Sequence, residues 1–285
     1  MTVVRLAAVA AHFGRDLRLD LERVAAVLDH ARAQAADVVV LPDGTLGGYL
    51  ADLRHPDATS LPPALSPDDP IFGELCRMAG RLVLCLGFCE RDGSGPSERL
   101  YNAAVALSGD GVLGRHRKVH QPPGEAAVLS AGDRFAAFDT PVGRMGLLID
   151  YDKTFPEAAR TLALDGAQLL ACLSAWPASL TRRSTSLSSD RQTRLFDLYD
   201  CARAAENQVV LLSSNQTGAL GGLRFLGNAK VVGPGGEVLA RTGAKGGLAV
   251  AGVDIRAEVV RARRVLSHLA ERRLDAYAPS LVGSS

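Results

Sequence analysis

The sequence predicts an α/β fold in one domain, and three observations lead there. Short, bulky apolar runs alternate with stretches whose apolar residues recur every three or four positions, the signature of buried strands interleaved with amphipathic helices. The alternation runs through two similar halves with no linker between them and no internal repeat. The third observation is the stretch at 142–160, VGRMGLLIDYDKTFPEAAR, where a buried run stops at a polar elbow and a helix begins. In α/β proteins such an elbow places a side chain at the carboxyl edge of the sheet, where ligands and nucleophiles sit.

Residues 3–10 read as the first strand; Arg5 and the lack of a basic leader argue against a signal peptide. Residues 19–35 follow as a helix, with Leu21, Val24, Val27, Leu28 and Ala31 on one face. The run DVVVL at 37–41 is a second buried strand and ends in Pro42-Asp43-Gly44, so Asp43 occupies a strand-end position like that of Asp150. Residues 51–70, rich in Pro and Asp, form a surface loop suited to a lid or a specificity segment. A short helix at 71–80 precedes the strand LVLCLGF at 82–88. Strands at 100–107 and 111–115 are joined by a hairpin at Ser108-Gly109-Asp110-Gly111. Lys118 emerges from that hairpin, and Glu125 follows seven residues later. His116 and His120 are four apart, but strand geometry and Pro122-Pro123 oppose a helical metal pair, so both are read as supporting residues.

At the elbow, residues 146–149 form a strand and Pro156 opens a helix that reaches Leu164. Residues 168–173 form a strand ending at Ser174-Ala175-Trp176-Pro177, which puts the single Trp where it could wall a pocket. A Ser/Thr/Arg-rich loop at 178–190 is read as mobile. A long helix at 191–206, a strand at 209–214, a hairpin around Gly233-Pro234-Gly235-Gly236, a last strand at 248–253 and a helix near 255–264 complete a core of about 265 residues, leaving 266–285 as a tail.

Composition narrows the function. At 285 residues, 47% hydrophobic, the chain can bury a sizeable core. A net charge of +1 without a dense Lys/Arg run argues against nucleic-acid and membrane-surface partners, and no run is long enough to cross a bilayer. The five cysteines sit mostly in apolar patterns and read as reduced thiols of a cytoplasmic protein.

Three stretches together resemble the nitrilase, or carbon–nitrogen hydrolase, superfamily: VVVLPDGTLGGY around Asp43, YNAAVALSGDGVLGRHRKVHQPPGE around Lys118, and GLLIDYDKTFPEAARTLALDGAQLLACLSAWP around Asp150. RAAENQVVLLSSNQTG and VVGPGGEVLA are similar to the family's later landmarks. The resemblance implies an αββα sandwich, usually dimerised through helices. It also implies a site made of a Glu base, a Lys that binds the developing anion, a Cys nucleophile and a second, supporting Glu. Carried onto this chain, Lys118 and Glu125 match their roles, whereas Asp43 stands at the base position and Asp150 at the nucleophile position. A thioester route cannot run with that set. Cys172, inside a strand, and Cys201, in mid-helix, read as core rather than as relocated nucleophiles.

Three carboxyls around one Lys should raise at least one carboxyl pKa. Two readings follow. One is an enzyme acting on a small nitrogenous substrate by non-thiol acid–base chemistry through Asp43, Lys118 and Asp150, with Tyr49, Tyr151 and Trp176 lining the substrate space. The other is a pseudoenzyme that binds a small ligand or a protein. A metal held by the carboxyls is disfavoured because Lys118 already supplies the cation, and no cofactor is expected.

Overall fold

The computed structural model describes residues 3–182 and 184–277, with the backbone alone at Pro96. The final residues of the expected tail, 278–285, lie outside the described residues.

Consecutive apolar residues in a strand point to opposite faces, so a run such as Gly143–Ile149 must bury both. The structure does this with two stacked sheets, each backed by helices. In the first sheet, Val4–Ala11, Val38–Val40 and Val83–Asp92 run parallel, Arg99–Ser108 and Gly111–Arg117 continue antiparallel, and Gly247–Val253 flanks Val4–Ala11. In the second, Gly143–Ile149, Leu169–Leu173 and Val210–Ser213 are parallel, with Phe138–Thr140 on one edge and the hairpin Lys230–Val232/Val238–Arg241 on the other.

Between the sheets, Leu6, Ala8, Val38 and Val40 meet Leu147, Ile149, Ala171 and Leu212 in one apolar cluster. On the outer face of the first sheet, Val9, Leu84 and Phe88 pack against the helices Leu17–Ala33 and Pro70–Ala79. On the outer face of the second, Leu148, Leu170 and Leu211 pack against Pro156–Leu164 and Arg191–Asn207. This is the αββα order that the resemblance implied.

Helix ends follow the local chemistry. Asp16 caps the first helix by accepting from the backbone N–H groups of Arg18 and Leu19, and Pro156 opens the helix after the elbow. The loop at 178–190 contains a 3-10 turn at Leu187–Ser189, and Asp190 caps the helix that follows. Sequence periodicity missed the edge strand Phe138–Thr140, which is too short for a pattern.

Candidate active site

The site forms at one end of the gap between the sheets. Cys89 pairs directly with Asn102 across adjacent strands, and the backbone N–H of Lys118 donates to the Asn102 carbonyl at 2.8 Å. Directly opposed residues share a face, so this row points into the gap below Cys85 and Ala104. Asp43 reaches the same place from the end of Val38–Val40, in a turn carried by Gly44, Gly47 and Gly48, all at positive φ. Gly87 permits that turn, because a Cβ there would fall 2.7 Å from the Asp43 Cα. Gln216 fastens it from the short strand Asn215–Gln216, which pairs with Val4–Ala11 in the same sheet, donating to the Asp43 carbonyl at 2.9 Å while accepting from the Phe13 N–H.

Asp150 comes from the second sheet. It follows Ile149 at φ +47°, a left-handed conformation that costs a non-glycine residue energy and that Asp tolerates better than most. Its neighbour Asp152 holds it there. The Asp152 carboxylate accepts from the backbone N–H groups of Ile149, Val119 and His120 and from the His116 ring at 2.9 Å and the His120 ring at 3.1 Å. Burial raises its pKa, but the two imidazoles and the backbone donors outweigh that and keep it well below the usual carboxylate range. From behind, Arg203 donates to the carbonyls of Lys153 and Thr154 at 2.8 and 3.0 Å. His116 and His120 are therefore supporting residues, as their spacing suggested. The sequence did not single out Asp152.

Lys118 is the centre. Its ammonium lies 2.6 Å from Glu125 Oε2 and 3.4 Å from Asp150 Oδ2. Tyr49 donates to the same Glu125 oxygen at 2.5 Å. Asn102, missed in the sequence reading, bridges two carboxyls, donating to Asp43 Oδ2 at 2.9 Å and to Glu125 Oε1 at 3.2 Å. All four expected residues are buried: Asp43 is 1% exposed, Lys118 and Glu125 0%, and Asp150 6%. The Asp150 Oδ1 atom is buried and, among the described residues, has no hydrogen-bond partner.

Electrostatics divides these groups. Burial pushes Asp43 up to about 7, with Glu125 and Asp150 adding to it and Lys118 and Asn102 opposing it. For Lys118, burial favours the neutral amine, but Glu125, Asp150 and Asp43 together outweigh it and raise its pKa, so it stays an ammonium. The expected raised carboxyl is Asp43.

The structure distributes the other candidates unevenly. Tyr49 joins the site through Glu125. Tyr151 is half-buried beside Asp150, edge-on to Phe155 with ring centres 5.2 Å apart. Trp176 is turned to Phe196 and Tyr199, its indole N–H donates to Gln192 at 3.0 Å, and among the described residues no hydrogen bond joins it to the four charged groups. Cys172 is fully buried and Cys201 is half-buried, both with thiols raised by burial. The thiol beside Asp43 belongs instead to Cys89. It lines a cavity of about 10 Å³ with Asp43, Tyr49 and Asn102, room for about one water, and burial lifts it to about 12. A thiol so hard to ionise is a poor nucleophile.

Residues 5–264 match the model of the family described as carbon-nitrogen hydrolase. The chain belongs to the carbon–nitrogen hydrolase family. It is 30% identical over 217 residues to a nitrilase from Pyrococcus abyssi, covering 75% of this chain and 74% of that one. It is 29% identical to an omega-amidase from Homo sapiens, over 98% of each. Among solved structures, the carbon-nitrogen hydrolase from Helicobacter pylori superposes with a TM-score of 0.81 at 25% identity, over 97% of each chain. An amidase from Nesterenkonia, 24% identical, shares the fold with a TM-score of 0.73 over 95% of this chain and 94% of that one; its active-site cysteine carries a covalently added acetamide moiety. Among the described residues of this family member, no helix is long and apolar enough to cross a membrane.

Proposed function

We propose that this carbon–nitrogen hydrolase acts on a small amide-, nitrile- or carbamoyl-type substrate by acid–base chemistry without a thiol, through Asp43, Lys118 and Asp150. The observation that carries the reading is Asp150 itself. It occupies the strained elbow, with one oxygen on Lys118 and the other buried and unpartnered, an arrangement costly to keep unless something binds there.

For an amide, the steps follow from the groups present. Asp43, ionising near neutrality, takes a proton from water as the water oxygen bonds to the carbonyl carbon. Lys118 has three N–H donors; Glu125 and Asp150 engage two, and the third holds the developing oxyanion. Asp150 Oδ1 accepts an N–H of the leaving nitrogen, and Asp43 returns its proton there as the C–N bond breaks. Asn102 and Glu125 keep Asp43 and Lys118 in register. Tyr151, half-buried beside Asp150, is the side chain proposed to meet the substrate there. We further propose a homodimer working in the cytoplasm, in line with its five free cysteines.

The second reading, a ligand-binding pseudoenzyme, is favoured by the same Lys118–Asp150 contact if Asp150 stands where a substrate oxygen would lie. Ammonia release from a panel of small amides, with wild type and Asp150→Asn, separates the two. The enzyme reading expects a loss of about 10²–10⁴-fold in turnover while a neutral amide binds as before. Iodoacetamide should leave turnover intact. No release from any amide, with binding altered by Asp150→Asn, would sink the enzyme reading in favour of the binder.

A further inference from the structure

The charge of the site says something about its ligand, given the reading above. Three buried carboxyls, Asp43, Glu125 and Asp150, surround one buried ammonium, Lys118. The other polar partners, Tyr49 and Asn102, are neutral. The nearby cations are already engaged. Lys153 is held by Asp200 at 2.7 Å, and Arg203 by the elbow carbonyls and by Glu206. His116 and His120 are turned to Asp152. Lys118 lies closer to Glu125 than to Asp150, Asp43 has its Oδ2 on Asn102, and among the described residues Asp150 Oδ1 has no hydrogen-bond partner. Unbalanced negative charge in a buried site is expensive, and a positively charged ligand with an N–H to donate removes the imbalance and satisfies the orphan oxygen together.

We propose that the substrate is a small amide bearing a cationic nitrogen, its ammonium donating to Asp150 Oδ1 alongside the N–H of the leaving nitrogen and its carbonyl oxygen meeting the free N–H of Lys118. With an aminoalkyl amide the reaction balances as the ammonium-bearing amide plus water giving the ammonium-bearing carboxylate plus ammonium ion. The water oxygen bonds to carbon, the C–N bond breaks, and the released nitrogen leaves carrying the protons. A neutral amide of the same shape makes the carbonyl contact but leaves the charge imbalance in place.

The test uses isosteric pairs, glycinamide against propionamide and β-alaninamide against butyramide. NMR titration of the wild-type protein measures binding, and ammonia release measures turnover. In at least one pair the cationic member should bind tenfold or more tightly. Asp150→Asn should erase that advantage and leave the neutral partner's affinity in place, with circular dichroism verifying the fold. Should the variant not fold, Asp150→Ser provides the second measurement and should likewise erase the gap. Equal or tighter binding of the neutral members overturns the proposal, as does a cationic preference that survives Asp150→Asn. Cationic preference without ammonia release keeps the cationic ligand but overturns its being a substrate, and with it the hydrolytic reading. Hydrolysis of neutral amides alone does the reverse.

Discussion

At the scale of single residues, the informative atoms are those whose chemistry differs from their type. Asp43 is a carboxyl that burial and two neighbouring carboxyls bring to a pKa of about 7. A group whose folded pKa lies above its unfolded value of 3.8 stabilises the fold most when protonated. That contribution is complete below the unfolded pKa and is lost as pH rises through about 7. Thermal midpoints of the wild type should therefore fall across pH 4–7 relative to Asp43→Asn, in which the ionisation is absent. Turnover should move the other way, rising through about pH 7 as Asp43 becomes a base. Parallel midpoint curves for the two proteins would contradict this account. Asp43, Lys118, Glu125 and Asp150 were legible in the sequence because each sits at a strand end or within a recognisable stretch. Asn102 and Asp152 lie in the same stretches but were not singled out, because the resemblance gives them no role and only their hydrogen-bond partners, 23 to 59 residues away, reveal one.

At the scale of elements, the elbow is braced from behind by the helix Arg191–Asn207 and the hairpin that starts at Lys230. Charges alternate along a line: Arg241 bonds Asp197 at 2.8 Å, Asp197 meets Lys230 at 3.1 Å, and Lys230 and Lys153 each reach Asp200 at 2.7 Å. Lys153, Lys230 and Asp200 are fully buried, and the Lys153 ammonium sits 3.2 Å over the Phe196 ring. The two ammoniums hold the Asp200 carboxyl below its usual pKa range, against the burial that would raise it. Breaking one partner of a buried ion pair costs about 3–5 kcal/mol, because the remaining charge stays desolvated. Asp200→Asn leaves two buried ammoniums with one anion fewer, so denaturant unfolding should show a loss of that size. A loss below about 1 kcal/mol, the range of an exposed pair, would mean the line carries little of the elbow's support. The sequence reading gave no role to the mid-helix acid or to the two lysines. Only the packing of helix on sheet sets them inside.

At the scale of the whole molecule, the helices behind the second sheet present apolar side chains to solvent. Leu164 is 46% exposed at the end of Pro156–Leu164 and Leu198 is 59% exposed on Arg191–Asn207, with Val265 and Leu266 also exposed beyond the last helix. Exposed apolar residues on neighbouring elements fit a second copy. Light scattering at micromolar protein should return the mass of two chains, and Leu198→Glu should shift it toward one. A monomer mass in the wild type would refute the dimer. The helices that would meet its partner also brace the elbow, so losing the dimer should lower stability and turnover together.

The sequence by itself determined the α/β class, the longer strands and helices, and four residues that share one site. Period-two and period-3.6 patterns and turn residues are local properties, written within a few positions. It also showed that no thiol stands at the elbow. The tertiary structure alone decided which neighbours those residues meet. It turned Trp176 toward Phe196, set Cys89 beside Asp43, and bridged Asp43 to Glu125 through Asn102. It also left one oxygen of Asp150 without a hydrogen-bond partner among the described residues. Each of these depends on how two sheets from distant parts of the chain stack and register. The energies that fix them, burial and charge at a few ångströms, exist only once the chain has closed around the site.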